Sequence, residues 1–405
     1  MIATVYPGTI SGSIAAIPSK SHVHRQLICA ALSDGITKIT CPALNADIEA
    51  TARCLNAMCA DITYDGDTFT VIPAKRPVGA IADCGESGST YRFLLPVAAA
   101  LGSETTFRLH GRLPQRPMSE LTSALESHGV TFSGLGTPEV TVHGKLTSGR
   151  FTLPGDVSSQ YISALIFAIP LTGESGEIVL TTAVESKGYI QMTLDAVRSF
   201  GINAVWENDS IVIPAPAVYK SPGAIVAEGD WSNAAFILCA AAAAGTNVEM
   251  SGLNAASAQG DKAVQTIIHD FGAPPAGYDI SISDIPDLAP ALAVLAAAAS
   301  GQTRFTEAAR LKLKESDRIA AICDTMNALG ADFTGTDDMI MIRGGKKLTG
   351  GTVDSVNDHR IAMMAACSAV ISENPVTITR AEAVNKSYPR FFEHIRQLGL
   401  KVDVT

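Results

Sequence analysis

The sequence is short of charge. Only 17% of its 405 residues are Asp, Glu, Lys or Arg, and 30 basic residues against 40 acidic ones leave a formal net charge of −10. Nucleic-acid-binding proteins neutralise phosphates with an excess of cations, so no nucleic-acid partner is expected, and any small anionic ligand must meet a local basic cluster. Long apolar runs are missing too. The longest, 234–244 and 288–299, fall short of the ~18 residues that span a bilayer. They read as buried alanine-rich helices, and no membrane association is expected. The first 21 residues hold no basic region followed by an apolar run, so no secretory signal is visible and a cytoplasmic location is expected. The cysteines (Cys29, Cys41, Cys54, Cys59, Cys84, Cys239, Cys323, Cys367) form no CxxC pair and mostly sit among apolar residues, which reads as reduced, buried thiols. No metal-ligand cluster, dinucleotide fingerprint, low-complexity segment or long charge run is visible, and no cofactor is expected.

What the chain has is hydrophobic bulk, 47% of residues, and a length beyond what one core usually serves, so two domains are expected. It also repeats itself. An amphipathic helix end, usually followed by glycine and then by a strand of alternating polarity, occurs at Cys59, Gly129, Gly201, Gly272, Gly330 and Gly399. A glycine just past a helix can take the left-handed conformation that ends it, and Cys59 is the departure. Strands are predicted over 67–72, 139–142, 210–214, 339–342 and 400–404. The markers are 70, 72, 71, 58 and 69 residues apart, which suits a strand–helix unit repeated six times. Parallel strands need a helical crossover, so the fold class is α/β (α+β), with three units per domain. The Pro- and Gly-bearing stretch 214–223 is the linker candidate, placing a boundary near residue 225.

Polar and basic residues recur just before apolar helices. Ser19-Lys20-Ser21-His22-Val23-His24-Arg25 precedes an apolar helix over 26–32, and Gly88-Ser89-Thr90-Tyr91-Arg92 precedes another. Arg116 stands before a helix predicted to start at Pro117, and Ser158-Ser159-Gln160 leads into a helix over 162–169. Lys314-Glu315-Ser316-Asp317-Arg318 is predicted to open the helix ending at Gly330, with Lys314 and Arg318 on one face at i and i+4. Asn357-Asp358-His359-Arg360, Asp287 ahead of an alanine-rich helix, and Asn385-Lys386-Ser387 complete the set. The first two could cradle an anion, at a helix N-terminus or through backbone N–H groups. Taken singly, each reads equally as a cap or a solvated ion pair; Asp287, for example, could be an N-cap.

In order, from Pro18 to Phe392, these segments together with Ser186-Lys187-Gly188-Tyr189 resemble the 3-phosphoshikimate 1-carboxyvinyltransferases, a family of enolpyruvyl transferases. The resemblance implies two domains of three strand–helix units each, with inner helices and outer sheets. The N-terminal strand would belong with the second half, giving domains of 1–18 plus 226–405 and of 19–225. Phosphoenolpyruvate and shikimate 3-phosphate would be the substrates of a monomeric enzyme. Ser21, Arg25, Ser158, Ser159, Gln160, Ser186 and Tyr189 would hold shikimate 3-phosphate. Lys20, Gly88, Arg92, Arg116, Gln160, Arg318, Arg360 and Lys386 would hold phosphoenolpyruvate, with Lys20 near both and Lys314 adding a cation. Asp287 and Glu315 match the acid/base carboxylates, Glu315 as proton donor and Asp287 as base for the attacking hydroxyl. The sister transferase acting on UDP-N-acetylglucosamine is the alternative. His22, His24, Glu86, Phe93 and Arg310 depart from the family's common pattern.

Overall fold

The computed structural model describes residues 1–74, 79–272 and 276–405, which form two compact units: Met1–Ile17 with Gly229–Thr405, and Pro18–Glu228. Each is built from one repeated motif. In Pro18–Glu228, strand Ala80–Asp83 leads through helix Gly88–Leu101 to a parallel strand, Thr105–Arg108; helix Ser119–Glu126 then leads to Val130–Ser133 and Glu139–Gly144. The sheet order is first, second, fourth, third, with antiparallel pairing after the first pair. The same order recurs over Arg150–Ile213, and in the other unit over Asp279–Arg343.

In the remaining copies the motif begins or ends elsewhere in the chain. Strand Ala224–Val226 pairs in parallel with Thr37–Thr40 and supplies the first strand for a copy whose other elements lie at 20–73. Strand Ile2–Val5 lies between Val376–Thr379 and Val402–Val404 in the sheet of the last copy. The copy holding helix Trp231–Ala243 pairs only Gly12–Ala15 with Val248–Ser251 among the described residues. The chain therefore leaves the first unit after Ile17 and re-enters it at Gly229.

The strands show why sheets lie outside and helices inside. Along Glu139–Gly144 the side chains alternate, Val140 and Val142 buried and Glu139 exposed, the period of a sheet with one solvated face. The first helix of each motif is buried nearly all round: Gly88–Leu101 and Ser159–Ala168 in one unit, Trp231–Ala243, Ala289–Ala298 and His359–Cys367 in the other. Alanine lets these helices approach closely, and such all-round apolarity marks a core helix. The second helices, such as Lys187–Ser199 and Arg318–Ala328, keep a polar face. All the cysteines are free and buried. Among the described residues no helix is long and apolar enough to cross a membrane.

The marker glycines Gly129, Gly201, Gly272, Gly330 and Gly399 all have positive φ, from 74° to 117°, whereas Cys59 caps its helix at φ −157°. The predicted strands are present at Thr68–Pro73, Glu139–Gly144, Ser210–Ile213, Ile340–Arg343 and Val402–Val404. Helix starts needed more correction. The helix expected from residue 26 begins at Lys20, because the Ser19 hydroxyl caps it by accepting from His22 N. The helix expected from Pro117 begins at Ser119, since Leu113–Gln115 already forms a 3-10 turn and Arg116 leaves it extended.

Candidate functional site

A core helix leaves its first amides in need of partners, and four of the five buried helices named above start with a side chain that caps them, Ala289–Ala298 being the exception. Ser87 accepts from Thr90 N, Ser158 from Gln160 N, Asp230 from Asn233 N and Asp358 from Arg360 N. The positive ends of the helix dipoles thus lie beside polar groups at the ends of the core.

In the unit Pro18–Glu228, hydrogen bonds tie these starts together. Arg25 is 2% exposed. Its Nε donates to Thr193 Oγ1 at 2.8 Å, Nη1 to Ser21 O at 2.7 Å and Nη2 to Tyr189 O at 2.9 Å, so it binds the Lys20–Ala31 helix to Lys187–Ser199. All three acceptors are neutral, and burial pulls its pKa down to about 10, so a nearby anion would be welcome. Arg92 Nη1 donates to Gln160 Oε1 at 2.7 Å, and Gln160 Nε2 donates to Ser89 Oγ at 2.9 Å, joining the starts of Gly88–Leu101 and Ser159–Ala168. Arg116 crosses the same spot: a Cβ on Gly88 would stand 2.7 Å from its Nη1, so the guanidinium can approach that backbone only because residue 88 is glycine. Lys20 Nζ meets Asp47 Oδ2 at 2.8 Å, with 15% and 18% of the side chains exposed. Ser186 precedes its helix at φ 57° and ψ 41°, a conformation that costs a non-glycine residue on the order of 1–3 kcal/mol. The buried chain His24, Thr51 and Thr90 connects three helices at 2.6 and 2.7 Å. Burial, then Lys20 and Arg25, keep the His24 imidazole well below its ordinary pKa.

The other unit carries Asp287, Lys314, Glu315, Arg318, Arg360 and Lys386. Asp287 is not an N-cap. It lies in the 3-10 turn Pro286–Leu288, and its carboxylate faces three cations: Arg318 Nη1 at 2.9 Å, Arg360 Nη2 at 3.3 Å and Lys314 Nζ at 3.4 Å. Arg360 Nη1 also donates to Asp287 O at 2.9 Å. Arg318 divides its guanidinium among Asp287, Glu315 Oε2 at 2.6 Å and Asp358 Oδ2 at 2.9 Å. Burial opposes the Arg318 charge, but Asp358, Glu315 and Asp287 outweigh it and raise the pKa. Lys314 is pushed down to about 8, by burial first, while Asp287 pulls the other way. Lys386 Nζ donates to Asn357 O at 2.8 Å.

The shared helix face expected for Lys314 and Arg318 is absent. Lys314 is extended after the 3-10 turn Ala309–Leu313, and the helix starts only at Arg318 with Asp317 as its cap. The two cations meet because both reach Asp287, a contact no local spacing could reveal. Sequence reasoning also passed over Asp47 and Thr193. Asp358 was legible as a cap before an apolar run, but its pairing with Arg318 depends on a residue 40 positions away.

A sequence model described as EPSP synthase (3-phosphoshikimate 1-carboxyvinyltransferase) matches residues 5–395. The 3-phosphoshikimate 1-carboxyvinyltransferase of Clostridium kluyveri is 37% identical over 99% of this chain and 98% of its own length. That of Clostridium acetobutylicum is also 37% identical, over 98% and 96%. Among solved structures, EPSP synthase from Acinetobacter baumannii aligns with a TM-score of 0.84 at 25% identity, covering 100% of this chain and 99% of that one. The enolpyruvyl transferase NikO from Streptomyces tendae, at 17% identity and a TM-score of 0.79 over 99% and 98%, shares the fold. With capped core helices, gathered cations and whole-length similarity together, the chain belongs to the EPSP synthase family.

Proposed function

We propose that this chain transfers the enolpyruvyl group of phosphoenolpyruvate to the 5-hydroxyl of shikimate 3-phosphate, giving 5-enolpyruvylshikimate 3-phosphate and inorganic phosphate. The observation that carries the reading is the cluster in which Asp287 and Glu315 share Arg318 while Arg360 and Lys314 close on Asp287. A binding protein for an anion gains nothing from two carboxylates among its cations. An acid/base reaction on anionic substrates needs both.

The chemistry follows from the groups. Arginine forks suit carboxylate and phosphate, so Arg92, Arg116, Arg318 and Arg360, with Lys20 and Lys386, would hold phosphoenolpyruvate, and Gly88 would let its oxygens approach backbone amides. Ser21, Arg25, Ser158, Ser159, Gln160, Ser186 and Tyr189 would hold shikimate 3-phosphate. Glu315 would deliver a proton to the methylene carbon while Asp287 takes the proton of the attacking hydroxyl, so that a C–O bond forms at the neighbouring carbon. In the second step a methyl proton returns to the protein, the C–O bond to phosphate breaks, and the enol ether is restored. We propose a monomer acting in the cytoplasm.

Phosphate release from phosphoenolpyruvate, with shikimate 3-phosphate or UDP-N-acetylglucosamine as acceptor, tests the reading. Release is expected with the first acceptor alone. Release with the UDP-sugar alone would overturn it.

A further inference from the structure

A second carboxyl feels the charge of Asp287. Asp261, in the 3-10 turn Gly260–Ala263, is 1% exposed. Its Oδ2 accepts the Ser232 hydroxyl, and its Oδ1 is buried with no hydrogen-bond partner among the described residues. A buried carboxylate with an unanswered oxygen is costly, and taking up a proton relieves that cost. The turn is pinned in place. Gln259 donates to Gly229 O at 2.8 Å and accepts from Trp231 N at 3.0 Å. A Cβ on Gly260 would stand 3.2 Å from Asp284 O, so the turn rests on the backbone three residues ahead of Asp287. Arg360, bonded to Asp287 through both its carboxylate and its carbonyl, also favours the charged form of Asp261.

We infer that Asp261 is a positioning residue for the transfer reaction, a buried carboxyl with one unanswered oxygen that competes with Asp287 for Arg360 and thereby sets how readily Asp287 takes the acceptor's proton. This rests on the reading of Asp287 as the base. Among the described residues, the charges that act on Asp261 include Asp287 from Pro286–Leu288, Arg360 from His359–Cys367 and Asp230 from the cap of Trp231–Ala243. Burial first, then Asp287 and Asp230, push its pKa up to about 7, against the pull of Arg360 and Ser232. While Asp261 is neutral, it does not draw on the charge that Arg360 presents to Asp287. Once Asp261 ionises, Arg360 is shared and a like charge stands near Asp287, so the proton affinity of Asp287 rises. Asp287 becomes the stronger base as pH climbs through neutrality.

Asp261→Asn keeps the shape and an oxygen for Ser232 but cannot titrate. Infrared spectra of the ligand-free protein across neutral pH should show a carboxylic-acid carbonyl band in the parent that fades near pH 7 and is missing from the variant. The kcat/KM–pH profile of the parent, which reports groups of the free enzyme, should carry a step at the same pH, and the variant should lose it. Ser232→Ala, which removes a group that lowers the Asp261 pKa, should move both band and step to higher pH. A parent without the titrating band, or an Asp261→Asn profile that keeps the step, overturns the inference. A titrating band in a parent that transfers no enolpyruvyl group would instead defeat the functional reading, and the positioning role with it, while leaving the buried proton established.

Discussion

Arg318 and Asp358 meet through Nε and Oδ2 at 2.9 Å with 1% and 0% of their side chains exposed, a salt bridge sealed from water. Its members have unequal alternatives. Arg318 keeps Asp287 and Glu315 if Asp358 is lost, whereas Asp358 also caps His359–Cys367 and accepts from Ser316 Oγ at 2.9 Å. Removing one member of a buried pair typically costs ~3–5 kcal/mol. Asp358→Ala is expected to lose about that much in urea unfolding, and Asp358→Asn less, because asparagine still caps the helix. Equal losses would mean that the cap contributes nothing.

Glu315→Gln should lower kcat by ~10²–10⁴-fold, the usual contribution of a general acid, and leave shikimate 3-phosphate binding nearly intact. In D₂O with acceptor present, the parent should wash deuterium into the methylene group of phosphoenolpyruvate and the variant should not. Exchange at the parental rate would transfer the proton role to Asp287 or Lys314.

Lys20 is ion-paired with Asp47 at 2.8 Å, so its loss can be read in two ways. As a substrate ligand, Lys20→Met removes a charge-assisted contact of roughly 1.5–3 kcal/mol and raises KM for both substrates on the order of 10- to 100-fold. As a structural partner of Asp47 alone, it would leave both KM values and kcat within about twofold and show only as a lower Tm.

The amine of Lys314, with a pKa near 8, makes binding sensitive to mild alkali. Calorimetric affinity for the anionic substrates should fall as pH rises through about 8, and the fall should be absent in Lys314→Met. Stability has the opposite sign. The folded pKa is below the ordinary 10.5, so between those values the unfolded chain binds more protons, and the Lys314 contribution to stability rises with pH. A parallel loss of affinity and of stability in that window would show that unfolding, not deprotonation, is being measured.

The sequence revealed features that local chemistry dictates. Gly129 and Gly330 were readable because ending a helix with positive φ favours glycine, and the alternation at Val140 and Val142 is a period of two on any one-faced sheet. The sixfold repetition followed from both. Helix starts were less legible, since Ser19 and Asp317 act as caps only after the chain has chosen where to turn. Asp261 was invisible for a further reason. Nothing in Gln259-Gly260-Asp261 distinguishes a buried carboxyl from a surface turn until Ser232 bonds to it and Gly260 packs on the Asp284 carbonyl.

The interior place of Ile2–Val5 in its sheet has a consequence for how the molecule comes into being. Ala3 stands opposite both Ile378 and Val404, so that sheet is joined by contacts nearly as long as the chain itself. The unit Pro18–Glu228 finds every strand within its own stretch, with Ser19 N bonded to Glu228 O at 2.8 Å where the stretch closes. Loop closure costs entropy before distant contacts repay it, so topology orders the assembly: Pro18–Glu228 can mature early, while Ile2–Val5 stays an unpaired ribosome-borne strand until its partners are made. An unpaired strand is a template for other chains, which makes Ile2–Val5 the vulnerable point of biogenesis. Nascent chains arrested near residue 300 should resist protease over 18–228 and be cut within the first 17 residues; protection of both would show that the strand finds another shelter.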